Sequence, residues 1–174
     1  MSKRNSSYIM SKLIDPEGYA YPAQVGVDIT VDCISKLEGG AIIGQSTKHG
    51  VSHPVKPVED RLDDDNLFQI DEVWHLTPGT YAIVFDQGLK QLSAEENASI
   101  TQRSSLNRNG VRVQGSIYDP GYKCDRLGAT LYASVPISIV RHARIAQLII
   151  ETNEPVPEAL LYNGQYQGEK PKGV

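Results

Sequence analysis

The chain is poor in sulfur and in bulky aromatic residues. In 174 residues it has two cysteines, two methionines, one tryptophan and two phenylalanines. Cys33 and Cys124 alone cannot make a disulfide framework in a chain this long, which points to a reducing cytosol. Aromatics make up 7% and are mostly tyrosine. That argues against a row of base-stacking platforms along a nucleic acid polymer. The net charge is −4, so a broad basic surface for duplex DNA is not expected. No apolar run approaches the length of a membrane span. The basic start, Met1 to Ser7, has no apolar stretch behind it as a secretion signal would. His49, His53, His75 and His142 form no zinc pattern with the cysteines. There is no Walker loop, no Rossmann glycine set and no nucleophile elbow. A soluble cytoplasmic protein of one domain, residues 1–174, is expected, long enough to bury a real core.

What is present is a series of short strands with turn signals between them. Val25 to Val31 alternates around Val27, Ile29 and Val31, with Asp28 on the opposite phase. Further strands are expected at 41–43, 73–76, 81–85, 89–92, 127–132, 136–140 and 145–150. Ser6-Ser7 is a cap signal for a short helix reaching Ile14, ended before Pro16. Ser93 to Glu96 carries a capping signature for one helical turn. Residues 44–71 read as a polar excursion with one edge strand, and its Asp63-Asp64-Asp65 run as a solvated loop. From about residue 154 the chain is expected to be a flexible tail. This pattern is all-β: a sandwich, jelly roll or barrel.

The chemistry concentrates between Gln102 and Tyr122. Arg103-Ser104-Ser105-Leu106-Asn107-Arg108 puts two guanidiniums five residues apart with hydroxyls between them. Such a set can grip a polyphosphate; it is equally a solvated loop. Asp119-Pro120-Gly121-Tyr122 is ordinary turn chemistry, or a carboxylate placed to position a water. Gln147, within an apolar strand, needs a partner if buried, either backbone or a ligand phosphate. Asp28 is either solvated or a water-mediated support for Mg²⁺.

Taken in order, these segments resemble the superfamily of trimeric dUTPases and dCTP deaminases. Val25-Gly26-Val27-Asp28-Ile29 looks like its first motif. Leu76-Thr77-Pro78-Gly79-Thr80-Tyr81 is similar to a segment of the deaminase branch, and Arg103 to Gly110 matches that branch's second motif. Tyr118 to Tyr122 looks like the third motif and Arg144 to Ile149 like the fourth. Tyr166-Gln167-Gly168 resembles the deaminase tail.

The resemblance implies a distorted jelly roll of the dUTPase β-clip type. It implies a homotrimer with active sites shared between subunits, and a deoxynucleoside triphosphate with Mg²⁺ as ligand. Asp119 and Arg108 would be catalytic. Arg103, Ser104, Ser105, Gln114, Tyr122, Arg144, Gln147, Tyr166, Gln167 and Lys170 would bind substrate. Asp28 would support the metal through water. The deaminase branch carries a catalytic Glu after the third motif. Here Tyr132 or Ala133 stands in its place, and Asp125 lies too early. The stretch from Gly110 to Asp119, expected as a base-reading hairpin, is about two residues short. Hydrolysis of dUTP to dUMP and pyrophosphate is therefore expected. The alternatives are a dCTP deaminase, with or without hydrolysis, and an inactive nucleotide-binding regulator.

Overall fold

A computed structural model of the chain describes residues 2–38, 55–58, 72–164 and 167–168. The chain opens with β1 (Ser2–Lys3), α1 (Ser6–Lys12), β2 (Leu13–Ile14) and β3 (Tyr21–Pro22). The long β4 (Val27–Leu37) follows, then β5 (Val55–Pro57), β6 (Val73–Leu76), β7 (Gly79–Phe85) and β8 (Gly88–Leu89). Next come β9 (Glu96–Gln102), α2 (Ser104–Arg108), β10 (Val111–Gln114) and β11 (Ile117–Tyr118). The chain closes with β12 (Gly128–Ala133), β13 (Ile137–Val140), β14 (Arg144–Thr152) and a 3-10 turn, Glu158–Leu160.

The main sheet is antiparallel and runs β10-β12-β7-β4-β14-β9-β11. β10 and β11 are consecutive in sequence yet lie at its opposite ends, so the sheet is curled. Its seam is crossed by Gln102, whose Oε1 accepts from the Val113 N–H at 2.8 Å. The architecture is the all-β jelly roll expected.

β4 explains most of the interior. Val27, Ile29 and Val31 alternate into the apolar core, all fully buried. The opposite phase, Asp28, Thr30 and Asp32, is buried too. A strand covered on both faces must supply partners for its polar residues. Thr30 donates to Asp86 at 2.6 Å, and Asp86 lies 2.9 Å from His142. Asp32 is held between Arg126 (2.6 Å) and Arg141 (2.9 Å). Asp28 is taken up below.

Several local expectations shift. α1 is capped one residue earlier than Ser6: the Asn5 Oδ1 accepts from the Tyr8 N–H at 2.9 Å. The helix ends at Lys12 because Leu13 is already extended and pairs with Leu89. Ser93 to Glu96 makes no helix. Its capping chemistry survives, with the Ser93 N–H donating to the Glu96 carboxylate at 3.0 Å, but the chain goes straight into β9. Of the expected 89–92 strand only Leu89 is in a strand, β8, which begins at Gly88. The edge strand foreseen within 44–71 corresponds to β5; residues 41–43, 63–65, His49 and His53 lie outside the described residues.

No hairpin joins β10 to β11. β10 pairs with β12 and β11 with β9. The 110–119 segment crosses the seam instead of folding back. Gly115 makes the crossing: a Cβ there would sit 2.5 Å from the Ile100 Cβ.

The segment after 154, expected as a flexible tail, is tied down in its described part. The Val156 N–H donates to Ala94 (3.0 Å) and the Tyr162 N–H to Pro120 (2.8 Å). Among the described residues, no helix is long and apolar enough to cross a membrane.

Candidate active site

Four expected site residues meet around one carboxylate. Asp28 sits on β4 directly opposite Gln147 on β14. Gln147 Nε2 donates to Asp28 Oδ1 at 2.9 Å. Arg103 Nε lies 3.3 Å, and Arg144 Nη1 3.7 Å, from Asp28 Oδ2. Arg103 Nη1 also donates to the Arg144 carbonyl at 3.3 Å. Arg144 and Gln147 are three residues apart, so a regular strand would send them to opposite faces. A register shift between Arg144 and Ala146 lets both reach Asp28.

Asp28 is therefore not a solvated strand residue. It is 4% exposed, because the cluster encloses it. One carboxylate against two guanidiniums leaves an excess of one positive charge. Both arginines remain partly exposed and keep free donor edges. Arg144 is also fixed from outside, its guanidinium 4.8 Å from the Tyr21 ring centre. The arrangement is a preorganised cationic cradle for an anion.

α2 begins immediately after Arg103, and Ser104, Ser105 and Arg108 on it are exposed. No side chain caps its first turn, so the hydroxyls and leading N–H groups face outward beside the cradle. The sequence reads this stretch as a loop because five residues carry too little periodicity to show a helix.

The remaining expected residues lie elsewhere. Asp119 is exposed in the turn after β11. Tyr118 is opposite Ala98, whereas Arg103 follows the far end of β9. At about 3.3 Å per strand residue, Asp119 is roughly 15 Å from the cradle of its own chain. Tyr122 is mostly buried, stacked on Tyr118 (centroids 4.9 Å) and edge-on to Tyr162 (5.3 Å). Cys124, beside it, is buried, and that burial pushes its thiol up to about 11, away from nucleophile chemistry. Gln114 is exposed and accepts from Arg112 at 3.0 Å. Gln167 bonds to the Asp119–Tyr122 turn rather than to the cradle. Tyr166 and Lys170 lie outside the described residues.

Metal ligation by the protein itself fits poorly. Both Asp28 oxygens are already engaged, and no group of three His, Cys, Asp or Glu among the described residues could hold an ion. The donor set suits a Mg²⁺ ion that arrives on phosphate oxygens and keeps its waters.

A concavity of about 460 Å³ is lined by residues of α2, β7, β10 and β12. Tyr132 lines it with Arg112, Thr80 and Asn107. Tyr132 stands on β12 between Arg112 of β10 and Thr80 of β7. β12 carries no acid anywhere along Gly128–Ala133. Sequence reading singled out neither Gln102 nor Arg112 nor Tyr21, because their roles come from cross-strand register, which no local pattern shows.

If Arg103 grips phosphate with its fork, Arg103→Lys keeps the charge and loses the geometry. The KM for a nucleoside triphosphate is expected to rise roughly 10- to 100-fold, from the loss of about 1.5–3 kcal/mol of charged hydrogen bonding. Steady-state kinetics would check this, and an unchanged KM would remove Arg103 from the site.

In this jelly roll two arginines and an amide are gathered over a buried carboxylate, an arrangement whose charge and donors suit an anion such as an oligophosphate. Comparison with known proteins narrows the class. The chain is 32% identical over 148 residues to the probable deoxyuridine 5′-triphosphate nucleotidohydrolase of Halobacterium salinarum, covering 83% of this chain and 82% of that one. It is 29% identical over 168 residues to the probable enzyme of the same name from Methanosarcina acetivorans, covering 95% and 90%. The chain belongs to the deoxyuridine 5′-triphosphate nucleotidohydrolase family. No protein-family model matches it. Among solved structures, 2′-deoxycytidine 5′-triphosphate deaminase from Agrobacterium tumefaciens shares the fold, with a TM-score of 0.61 at 15% identity. That match covers 87% of this chain and 48% of the deaminase, so the chain spans about half the deaminase's length.

Proposed function

We propose that the protein hydrolyses dUTP to dUMP and pyrophosphate, working as a homotrimer with shared active sites and with Mg²⁺ carried on the triphosphate. The observation that carries this is the cradle of Arg103, Arg144 and Gln147 over Asp28. Its excess positive charge is opposite in sign to a triphosphate, and the curated relatives are named for dUTP hydrolysis. Sites shared between copies are supported by distance. Asp119 lies too far from its own chain's cradle to share a ligand with it, and a neighbouring copy supplies the missing half.

In this reading Asp119 accepts a proton from a water as the water oxygen attacks the α-phosphorus. The new P–O bond forms as the bond to the pyrophosphate oxygen breaks in line, and pyrophosphate leaves. Arg103 and Arg144 hold the phosphates and stabilise the charge that builds up; Ser104 and Ser105 add hydroxyl contacts. Arg108, exposed at the end of α2, reaches the same phosphates. Bound Mg²⁺ would supply charge neutralisation on the triphosphate.

Deamination of dCTP is the second reading, favoured by the shared fold. It needs a proton-carrying acid at the base, and Tyr132 stands on β12 where that acid is expected. The test is to incubate the protein with Mg²⁺ and either dUTP or dCTP, then measure pyrophosphate and ammonia. Pyrophosphate from dUTP without ammonia from dCTP is the expected result. Ammonia from dCTP would overturn the assignment, and nucleotide binding without any product would favour a regulator.

A further inference from the structure

The turn that carries Asp119 is held from one side by the end of the chain. Gln167 spans it with both halves of its amide. Its Nε2 donates to the Gly121 carbonyl at 2.8 Å, and its Oε1 accepts from the Lys123 N–H at 3.2 Å. The Gly168 N–H donates to the Lys123 carbonyl at 2.9 Å. A few residues earlier, the Tyr162 N–H donates to the Pro120 carbonyl at 2.8 Å, and the Tyr162 ring packs on Tyr122. Gly121 has φ +87°, and a Cβ there would lie 3.1 Å from the Leu161 Cβ. The turn residue is therefore small where the returning chain crosses it closely.

Apart from this strap, the turn is tied through Leu92 to the segment between β8 and β9. The Gly121 N–H donates to its carbonyl at 3.2 Å, and the Leu92 N–H donates to the Tyr122 carbonyl at 3.0 Å. Those bonds leave the Gly121 carbonyl and the Lys123 N–H unused, and Gln167 takes both. Asp119 is exposed at the head of the turn, while Gly121 and Tyr122 are buried, so the carboxylate's direction depends on how the turn backbone is held; a general base must be fixed to act.

We infer that Gln167 is a positioning residue for Asp119: the C-terminal segment clamps the Asp119–Tyr122 turn and sets the carboxylate's direction, without touching substrate. This deepens the hydrolase reading above, on which Asp119's role rests, and departs from the expectation that Gln167 binds the nucleotide.

The test compares full-length wild type, Gln167→Ala and Gln167→Glu in two measurements. The first is kinetic. With Gln167→Ala, kcat for dUTP is expected to fall by roughly 10- to 100-fold, as a misplaced catalytic group costs, while KM stays within about twofold. Gln167→Glu keeps the acceptor for Lys123 and loses the donor to Gly121, so its kcat should fall in between. A raised KM with unchanged kcat would make Gln167 a substrate ligand and overturn the proposal. Unchanged kinetics would overturn it as well. The second measurement is amide hydrogen exchange without nucleotide. Protection of the Lys123 N–H is expected to drop in Gln167→Ala while β9 and β14 stay protected. Full protection at Lys123 would sink the clamp. If the wild type hydrolyses no dUTP, the hydrolase reading fails separately, and the exchange result still decides whether the clamp exists.

Discussion

Asp119→Asn is expected to lower dUTP turnover by about 10² to 10⁴-fold, the range a general base contributes. Binding of a non-hydrolysable dUTP analogue should stay within a few-fold of wild type. The substitution keeps size and hydrogen-bonding capacity and removes only the ability to accept a proton. Asp119 is exposed and the turn's own backbone bond, from the Tyr122 N–H to the Asp119 carbonyl at 3.1 Å, does not involve its side chain. Folding should therefore be untouched, which thermal unfolding of the same variant would verify. Turnover near the wild-type level would reduce Asp119 to a turn residue. If subunits share sites, mixing Asp119→Asn with an Arg103 variant that is also inactive should recover activity, because some interfaces then join an intact cradle to an intact Asp119.

The second large effect lies far from the cradle. Glu96 opens β9 with its side chain fully buried. Burial pushes its carboxyl up, but the Tyr8 hydroxyl, the Ser93 N–H and the Lys12 ammonium at 3.0 Å more than offset that and hold it at about 2. Tyr8 and Lys12 belong to α1, so Glu96 is the bolt that fastens the helix to the sheet. Glu96→Ala leaves the partly buried Lys12 ammonium and Tyr8 hydroxyl without their anion and is expected to cost about 3 kcal/mol. For a chain of this size that is a fall of roughly 10 °C in Tm. The same site sets a pH dependence. Its folded pKa lies below the ordinary carboxylate value of 4.5, so its contribution is complete above that value. It is lost as pH falls from about 4.5 towards 2, and amounts to about 3 kcal/mol at neutral pH. Glu96→Gln should flatten the acid limb of the stability curve. A midpoint within 2 °C of wild type for Glu96→Ala would show that α1 is held by other means.

The strands were largely legible because a half-buried strand advertises itself by alternation. The Val27, Ile29, Val31 series and the apolar run of β14 could both be read as strands from the sequence alone. The polar residues between them did not. Asp28 and a solvated aspartate look alike in sequence, since burial on the second face of β4 comes from β14 and β9, distant in the chain. Arg144 and Gln147 share a face only through a bulge, which follows from register and has no letter of its own. The residues of the cradle could be named from motif order, but their convergence could not. The crossing at 110–119 was misread because the hairpin was carried over from the resemblance, and only the curling of the whole sheet sends β10 and β11 to different partners. Gln167 shows the limit most plainly, since its amide meets a turn more than forty residues away.

Asp28 holds the two guanidiniums in the absence of any phosphate. It is thus a rival, inside the protein, for the groups an incoming triphosphate needs. The rivalry lowers the affinity for every phosphate ligand alike, pyrophosphate included. When the reaction is over, the arginines can return to a carboxylate a few ångströms away rather than wait empty in water. If the cradle holds the triphosphate, the contact that arranges the arginines beforehand would also speed the release of pyrophosphate, which a cradle without Asp28 would hold longer.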